Sequence, residues 1–428
     1  MRTVGIRSSS SAKSFSIAPT LVRIRRQCGR FGGLAIALAT FATPLVAQQA
    51  RDTVRTIYPD TVVATLRAAD STRHSGIRLC AGGDITLGSN LDSAWATNAE
   101  LNLWDRFARR ADPDSLLAPV RPLFRDADIV LFNIEGAIGE GPTEKKCGRR
   151  STSCFAFRQP PSAAAALRRF GSDHTQVVGN VANNHSHDAG VDGLGMTIAL
   201  LDSAGVNVTG ADTLATPVVT VRGDTIGFLG FYTGSDSPDA RDLAAVRRHV
   251  QRAVETYRTV IVTMHLGAEG AMAQRTRNAV ERFVGTGRGN PIAFAHTAIS
   301  AGATAVIGHG PHVLRAAEWI DSRLVLYSLG NLVNYGTFGL GEPMNHGAVA
   351  CMNIDGPRTV SGATIQSTVQ IAPGVVLEDP SAGSARLIDS LSRLDFPKTG
   401  AELSADGSVG RRPAAPARST RPKKKPPR

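Results

Sequence analysis

Two catalytic signatures are absent from this chain. It has no G-x-S-x-G elbow, which exposes the nucleophile of many serine hydrolases, and no G-x-x-x-x-G-K-[ST] loop, which cradles nucleotide phosphates. It also has no internal repeat of solenoid period. These absences exclude serine hydrolases of that type, P-loop enzymes and repeat proteins. The 428 residues, 42% of them hydrophobic, suffice for a large core.

Acidic residues are missing from both ends of the chain. Residues 1–47 carry seven Lys or Arg and residues 411–428 carry eight, in both cases without an acid. The stretch between them therefore holds 33 basic and 36 acidic residues, a net charge of −3. Since the total charge of +12 belongs to the ends, it does not indicate a nucleic-acid-binding protein. The Pro-rich basic end is predicted to be a solvated tail, or to associate with an anionic polymer or envelope surface.

The basic N-terminal segment leads into an apolar stretch, Leu34 to Val46, which is followed by the small residue Ala47. This order is typical of an export signal, here residues 1–47. The stretch is short for a membrane span and contains Pro44; an uncleaved N-terminal membrane anchor is the alternative. We therefore predict an exported protein, periplasmic or extracellular, in which residues 48–75 form a linker or peripheral arm.

Cysteine is scarce, and only Cys80, Cys147, Cys154 and Cys351 follow the signal. Export permits disulfides, and four cysteines allow three sets of pairings. Cys147 and Cys154 flank a short polar turn, which favours a local pair. Cys80 lies in an apolar strand pattern that is typical of an ordinary buried cysteine.

Strand-like and helix-like patterns alternate from Ile77 onward. Short apolar runs rich in β-branched residues are separated by helical patterns, such as those at 192–204, 239–257 and 291–300. This alternation predicts an α/β layered domain over residues 76–378. Beyond residue 378 the pattern fades, so residues 379–428 are predicted to be a C-terminal extension that ends in a disordered basic tail.

Ligand-type side chains follow five of the strand-like runs at their carboxyl ends. They are Asp84, then Asn133 and Glu135, then Asn184 and His185, then His265, and finally His309 with His312. In open α/β sheets, ligands bind in the crevice at those ends. Carboxylates, an amide and several imidazoles form a mixed shell that suits Zn, Mn or Fe. One or two such divalent ions are expected, and two ions about 3.5–4 Å apart would clamp a phosphoryl-type oxygen.

Five stretches carry a family resemblance: "GDITLGSN", "FNIEGAI", "VANNHSHDAGVDGLGMTIALLDSAGV", "MHLGAEG" and "GATAVIGHGPHVLRAAEWIDSRLVLYSLGN". Together they resemble the CapA family, whose members are poly-gamma-glutamate capsule synthesis proteins related to calcineurin-like metallophosphoesterases. The resemblance spans residues 77–376. It implies a four-layer α/β/β/α sandwich of the metallo-dependent phosphatase type. It also implies a role in capsule biosynthesis beside the synthesis or export machinery at the membrane.

The resemblance also implies a role for each site residue. Asp84, Glu135, Asn184, His265, His309 and His312 look like metal ligands, with Glu135 in the place of a bridging carboxylate. His185 looks like the catalytic acid or phosphate contact, and Asp188 like the carboxylate that orients it. Asn133, Glu269 and Asn331 are candidates for supporting or substrate contacts.

The chain departs from the phosphoesterase pattern in its first motif. D-x-H is replaced by Asp84-Ile85-Thr86, and Gly310 stands where a second histidine usually follows His309. Two functions are therefore compatible with the sequence. The first is a metal-dependent hydrolase acting on a phosphoester or on an amide- or carboxyl-linked polymer. The second is a non-catalytic envelope protein that binds an anionic polymer and assists its assembly or export.

Overall fold

The computed structural model describes residues 76–88, 93–140, 155–234, 238–336 and 339–412. Two main β-sheets run through this part of the chain. The first strand, β1 (Ile77–Thr86), is buried along almost its whole length, as expected when both faces of a sheet are covered.

The first main sheet has eight strands. They are β1 (Ile77–Thr86), β2 (Ile129–Ile134), β5 (Gln176–Asn180), β6 (Val206–Thr209), β15 (Asn331–Asn334), β16 (His346–Gly356), β17 (Thr359–Ile371) and β18 (Val375–Glu378). Their order is β18-β17-β16-β1-β2-β5-β6, and β15 pairs with the carboxyl end of β1. The neighbours β1, β2, β5 and β6 are parallel, so their carboxyl ends lie at one edge of the sheet.

The second main sheet has six strands. They are β7 (Thr216–Val219), β8 (Thr225–Tyr232), β9 (Thr259–His265), β12 (Ala305–His309), β13 (Ala317–Ile320) and β14 (Arg323–Leu326). Their order is β13-β14-β12-β9-β8-β7, with β8, β9, β12 and β14 parallel. Three short pairs complete the strands: β3 (Ala137–Ile138) with β4 (Arg158–Gln159), β10 (Arg282–Phe283) with β11 (Thr286–Gly287), and β19 (Ala401–Leu403) with β20 (Val409–Arg411).

The α-helices of the described residues are α1 (Ser93–Phe107), α2 (Pro113–Leu117), α3 (Ser162–Arg168), α4 (Gly190–Ser203), α5 (Leu243–Thr256), α6 (Pro291–Ala301) and α7 (Gly383–Asp395), with a 3-10 helix at Ala118–Phe124. Side chains cap several of them. The Asp242 carboxylate accepts a hydrogen bond from Ala245 N at the start of α5, and Asn290 does the same for Ala293 N at the start of α6. Gly302, with φ 121°, ends α6.

The buried apolar residues divide into three clusters, which define four layers. One cluster joins the first sheet to α1, α2, α3 and α4. A second lies between the sheets, where Leu131 of β2 and Ile261 of β9 belong to the same cluster. The third joins the second sheet to α5 and α6, through residues such as Val250 and Phe294. The predicted α/β/β/α sandwich is thereby confirmed.

The C-terminal segment corrects the expected domain boundary at residue 378. Residues 379–412 are folded: α7, β19 and β20 supply Ile388, Ala401 and Val409 to the core between the sheets. Isolated bridges join Glu318 to Gly400 and Thr364 to Ser408. This segment can fold with few apolar side chains because they complete a core that other strands mainly build. Its own sequence therefore shows only a weak helix and strand pattern.

The disulfide pattern is a second correction. Cys80 and Cys351 lie opposite each other on the antiparallel strands β1 and β16 and form a disulfide across 271 residues of sequence. The prediction that Cys80 is an ordinary buried cysteine is wrong, because its partner strand is remote in sequence. Cys147, Cys154, the signal at 1–47 and the segment 48–75 lie outside the described residues. In the part of the chain that the structure describes, no helix is long and apolar enough to cross a membrane.

Candidate metal centre

The polar strand ends of both sheets meet at one place. Asp84 on β1 is in register with Asn133 on β2, and His309 on β12 is in register with His265 on β9. Glu135 follows β2 directly, and its backbone N–H donates to Ile85 O at 2.9 Å. Because β1 is parallel to β2 and β9 is parallel to β12, the carboxyl ends of each pair lie side by side.

Three of these side chains bring ligand atoms within 4.8 Å of one another: Asp84, Glu135 and His312. His312 Nδ1 lies 3.2 Å from Asp84 Oδ2, and His312 Nε2 lies 3.6 Å from Glu135 Oε1. Both carboxylates are fully buried, whereas the His312 side chain keeps 14% of its surface exposed. The group therefore closes the inner end of a site that opens toward His312.

His312 is held in place by Asn331 and by its own backbone. His312 Nδ1 lies 3.0 Å from Asn331 Oδ1, while Asn331 Nδ2 donates to the carbonyls of His312 at 3.3 Å and Met344 at 3.2 Å. The φ of His312 is 57°, in the left-handed region that few residues other than glycine adopt. With Nδ1–H facing Asp84 and Asn331, a neutral His312 presents the lone pair of Nε2 toward Glu135.

Several buried atoms of the centre have no hydrogen-bond partner among the described residues. These atoms are both carboxylate oxygens of Glu135, both ring nitrogens of His309, and Nε2 of His265. His309 Nδ1 lies 3.7 Å from Asp84 Oδ1, beyond hydrogen-bond distance. A buried polar atom without a partner costs about 1–3 kcal/mol, so such a concentration needs a compensating ligand. Carboxylate oxygens and imidazole nitrogens are donors that Zn, Mn and Fe accept, and the residues therefore fit a divalent ion.

Burial and neighbouring charges shift the pKa values of these groups in opposite directions. Burial and the nearby carboxylates raise the pKa of Glu135 well above its usual range. Burial also raises the pKa of Asp84, but the hydrogen bond and charge of His312 outweigh it and leave that pKa below the ordinary value. For His312 the charge of Glu135 and the contact with Asp84 outweigh burial and raise the pKa. Burial lowers the pKa of His309 to about 4 and also lowers that of His265.

Asn133 connects Asp84 and His265 to Asn180 and Asn183, which lie at and just after the end of β5. Its Nδ2 donates to Asp84 Oδ1 at 2.8 Å and lies 3.1 Å from His265 Nδ1. Its Oδ1 accepts hydrogen bonds from Asn180 Nδ2 at 3.0 Å and Asn183 Nδ2 at 3.2 Å. With Asn133 as donor, His265 Nδ1 is an acceptor and Nε2 carries the proton, 3.8 Å from Glu135 Oε1. That separation is beyond hydrogen-bond distance, and a protonated Nε2 does not ligate a metal, so the role of His265 as a metal ligand stays a prediction.

Gly310 occupies the position where a second histidine was expected after His309. Its φ is 105°, and a Cβ there would lie 3.0 Å from His265 Cδ2. Its backbone N–H donates to Asp84 Oδ2 at 3.4 Å. A side chain at this position would press on His265 and strain the backbone, so the glycine is part of how the site closes around Asp84.

His185 and Asp188 form a separate buried pair. His185 Nδ1 lies 2.6 Å from Asp188 Oδ2, which also accepts a hydrogen bond from Phe157 N at 2.6 Å. The Phe157 ring stacks on the imidazole, with centroids 4.0 Å apart. The backbone N–H of His185 donates to Asn183 Oδ1, and Asn183 in turn binds Asn133. Asn184, which lies between Asn183 and His185 in the sequence, is half-buried.

Glu269 lies in the loop after β9 and contacts the centre. It pairs with Arg288, which the sequence did not predict as a site residue. Glu269 Oε2 lies 3.9 Å from His312 Nε2. Glu269 Oε1 accepts a hydrogen bond from Arg288 Nη2, and both side chains are about nine-tenths buried. Arg288 follows no strand-like apolar run, and its flanking glycines in "GTGRGN" are the only local signal.

Residues 78–335 match the family described as bacterial capsule synthesis protein PGA_cap. The chain belongs to this family. Among PGA_cap relatives, the PGA biosynthesis protein CapA of Bacillus subtilis is 25% identical over 245 residues, which is 54% of this chain and 59% of that protein. The capsule biosynthesis protein CapA of Bacillus anthracis is 24% identical over 52% of this chain and 54% of its own length. This PGA_cap chain thus spans somewhat over half the length of these relatives.

Among solved structures, the chain is similar to the NAD nucleotidase of Haemophilus influenzae. It is 13% identical, with a TM-score of 0.31, over 74% of this chain and 62% of that one. The family resemblance expected from the motifs is confirmed by the PGA_cap match and the CapA relatives.

Proposed function

We propose that this PGA_cap protein is exported, binds one or two divalent ions at the described centre, and acts as a metal-dependent hydrolase in capsule or poly-gamma-glutamate synthesis. The observation that carries the proposal is the approach of Asp84, Glu135 and His312 within 4.8 Å, beside buried nitrogens and oxygens without partners. Asp84, Glu135, His309 and His312 would hold the ion, with Asn184 and His265 as further predicted ligands. Mn, Zn and Fe suit this donor set.

A bound divalent ion supplies Lewis-acid polarisation of the substrate and a nucleophile at neutral pH. The chain's own contribution to proton transfer comes from His185. Asp188 holds its Nδ1–H and Phe157 covers one face of the ring, so Nε2 is the ring atom that would take or return a proton. The predicted substrate is a phosphoester or an amide- or carboxyl-linked anionic polymer.

Export is supported by the apolar segment after the basic N-terminus and by the disulfide between Cys80 and Cys351. Disulfides form and persist in oxidising compartments and are rare in the cytosol. A periplasmic or extracellular location, with N-terminal membrane anchoring as an alternative to signal cleavage, would place the protein beside the capsule synthesis or export machinery.

One observation favours the alternative of a non-catalytic protein that binds an anionic polymer. Thr86 stands in the third place of the first motif, where phosphoesterases have a histidine ligand. Its side chain is buried and donates to Glu135 O at 3.0 Å, so it braces the backbone of a candidate ligand. A site with fewer ligands would bind metal less tightly or hold a single ion.

Metal analysis of the purified full-length chain tests the proposal. We expect stoichiometric Mn, Zn or Fe in the unmutated protein and a loss of at least half of it in His309→Gln, because His309 is buried beside Asp84. The matched control is His174→Gln, since His174 is exposed and precedes the amino end of β5, whereas the candidate ligands lie at or after the carboxyl ends of strands. A phosphoesterase assay on the same samples separates the two functions: metal without turnover supports polymer binding, and absence of metal from the unmutated protein overturns the centre.

A further inference from the structure

Arg288 is a buried cation at the edge of the metal centre. Only 5% of its surface is exposed, and its guanidinium reaches the centre by two contacts. Nη2 binds Glu269, whose other oxygen faces His312. The guanidinium also lies over the Tyr232 ring, 5.7 Å from its centroid, and that ring lies 5.8 Å from the ring of His265.

We propose that Arg288 binds an oxyanion of the substrate, a phosphate or a carboxylate, beside the metal centre. The proposal rests on the proposed function, because it assigns the substrate group that this site would recognise. A guanidinium presents parallel N–H donors that match both oxyanions.

The position of Arg288 is fixed by its backbone. Its N–H donates to Glu281 O at 2.8 Å, and its carbonyl accepts from Gly267 N at 2.8 Å. Glu281 is itself held by Arg315, whose Nη1 and Nη2 donate to its two oxygens at 3.0 and 2.8 Å. The loop that carries Arg288 is therefore clamped to the end of β9, which leaves the guanidinium little freedom to lose when an anion binds.

The terminal nitrogens of Arg288 are only partly used, unlike those of Arg315. Both terminal nitrogens of Arg315 have acceptors, in Glu281 and Ala268 O. In Arg288, Nη2 binds Glu269 and Nε lies 3.4 Å from Gly267 O, but no described residue accepts a hydrogen bond from Nη1. Since Nη1 is not one of the buried atoms that lack a partner, it keeps some solvent access and can donate to a bound ligand.

The surrounding charges agree with an anion at this place. Asp84, Glu135 and Glu269 would repel an anion in the metal-free protein, whereas an ion bound by the first two offsets their charge. Arg288 then adds a cation whose only charged partner in the described chain is Glu269. The combination would take one oxyanion between the ion and Nη1, and it would orient the rest of the substrate along the open side near His312.

Calorimetric titration of the full-length chain with inorganic phosphate and, separately, with glutarate tests the proposal, in Mn-loaded and metal-free samples. We expect Arg288→Gln to weaken binding by about tenfold or more, and Arg288→Lys, which keeps the charge but loses the planar fork, to give an intermediate loss. The control is Arg277→Gln, because Arg277 is an exposed cation in the same loop. It should bind both anions as the unmutated protein does.

Thermal unfolding with and without anion separates recognition from a purely structural role. A structural role would lower the midpoint of Arg288→Gln without anion and leave the anion-induced rise intact, whereas recognition abolishes that rise. Preference for phosphate indicates a phosphoester, and preference for glutarate indicates a carboxylate polymer. The proposal is overturned if the unmutated protein binds neither anion, or if Arg288→Gln binds as tightly as Arg277→Gln. Missing metal with Arg288-dependent anion binding would refute the metal centre alone.

Discussion

His312 Nδ1 lies 3.2 Å from Asp84 Oδ2, and the two residues come from opposite sheets of the sandwich: Asp84 is on β1, and His312 follows β12. The contact makes each group favour its charged form in the metal-free protein. The pKa of Asp84 is lowered, and that of His312 is raised well above 6.5, by Glu135 and Asp84 together. A proton on His312 is therefore the competitor that a metal ion must displace.

Metal affinity is expected to increase with pH. The lone pair of His312 Nε2 becomes available only when its proton leaves, and Glu135, whose pKa is raised by burial, must lose its proton as well. Over about pH 6 to 8 we expect the Mn dissociation constant to fall by up to roughly tenfold per pH unit for each proton displaced. Titrations in buffers of different ionisation enthalpy measure the protons released, and His312→Gln should release about one fewer. An affinity independent of pH would contradict the protonated His312.

The sequence predicted the parts of the centre that depend on strand ends. Asp84, Glu135, His265 and His309 each follow an apolar run, and parallel pairing brings such ends together whatever the exact register. Roles that depend on contacts across strands could not be read this way. The hydrogen bonds of Asn133 to both Asp84 and Asn180 require the register of β1, β2 and β5.

Long-range pairing also hid other features. Arg288 lies in a loop whose place beside the centre depends on Glu281, and Glu281 is held by Arg315, 34 residues further along the chain. The partnership of Cys80 with Cys351 depends on β16 pairing with β1. Local patterns carry no information on such pairings, whereas the layered fold followed from the alternation of helices and strands.

Reduction of the Cys80–Cys351 disulfide is expected to destabilise the fold. Cross-linking two strands across 271 residues restricts the unfolded chain strongly, and loss of a native disulfide typically costs about 2–5 kcal/mol. Urea unfolding of Cys80→Ala/Cys351→Ala should show this loss, and Cys147→Ala/Cys154→Ala, which removes only the predicted pair that closes a short loop, should lose less. Non-reducing peptide mapping identifies the bonds directly, and a Cys80 that is free or joined to Cys147 would contradict this pairing.

Removing the Asn133 side chain is expected to destabilise the protein by more than an ordinary amide deletion. Asn133→Ala leaves the amides of Asn180 and Asn183 and the Asp84 carboxylate without their shared partner, at a cost of about 1–3 kcal/mol. Metal affinity should also fall, because Asp84 loses the donor that orients it. Urea unfolding and Mn titration measure both effects. The control is Asn207→Ala on β6, whose amide donates to Val177 O; equal losses in the two variants would contradict the role of Asn133.

His296 and Glu318 form an ion pair outside the metal centre whose contribution to stability depends on pH. His296 Nε2 lies 3.0 Å from Glu318 Oε2, and Tyr327 OH also donates to that oxygen at 2.8 Å. The hydrogen bond to Glu318 raises the pKa of His296 against the effect of burial. Burial raises the pKa of Glu318, but its hydrogen bonds from His296, Thr399 and Tyr327 outweigh this and lower it.

The two shifts define a pH window for this pair. The raised pKa of His296 contributes stability that is complete below 6.5 and is lost as pH rises through the folded value. The lowered pKa of Glu318 contributes stability that is complete above 4.5 and is lost as pH falls through the folded value. The pair therefore stabilises most between these values. His296→Gln should cost on the order of 0.5 kcal/mol more at about pH 5.5 than at about pH 8.5, a small amount because water screens the half-exposed imidazole. Urea unfolding at both pH values measures the difference, with His174→Gln as the control; equal losses at the two pH values would show that the pair carries no charge-dependent stability.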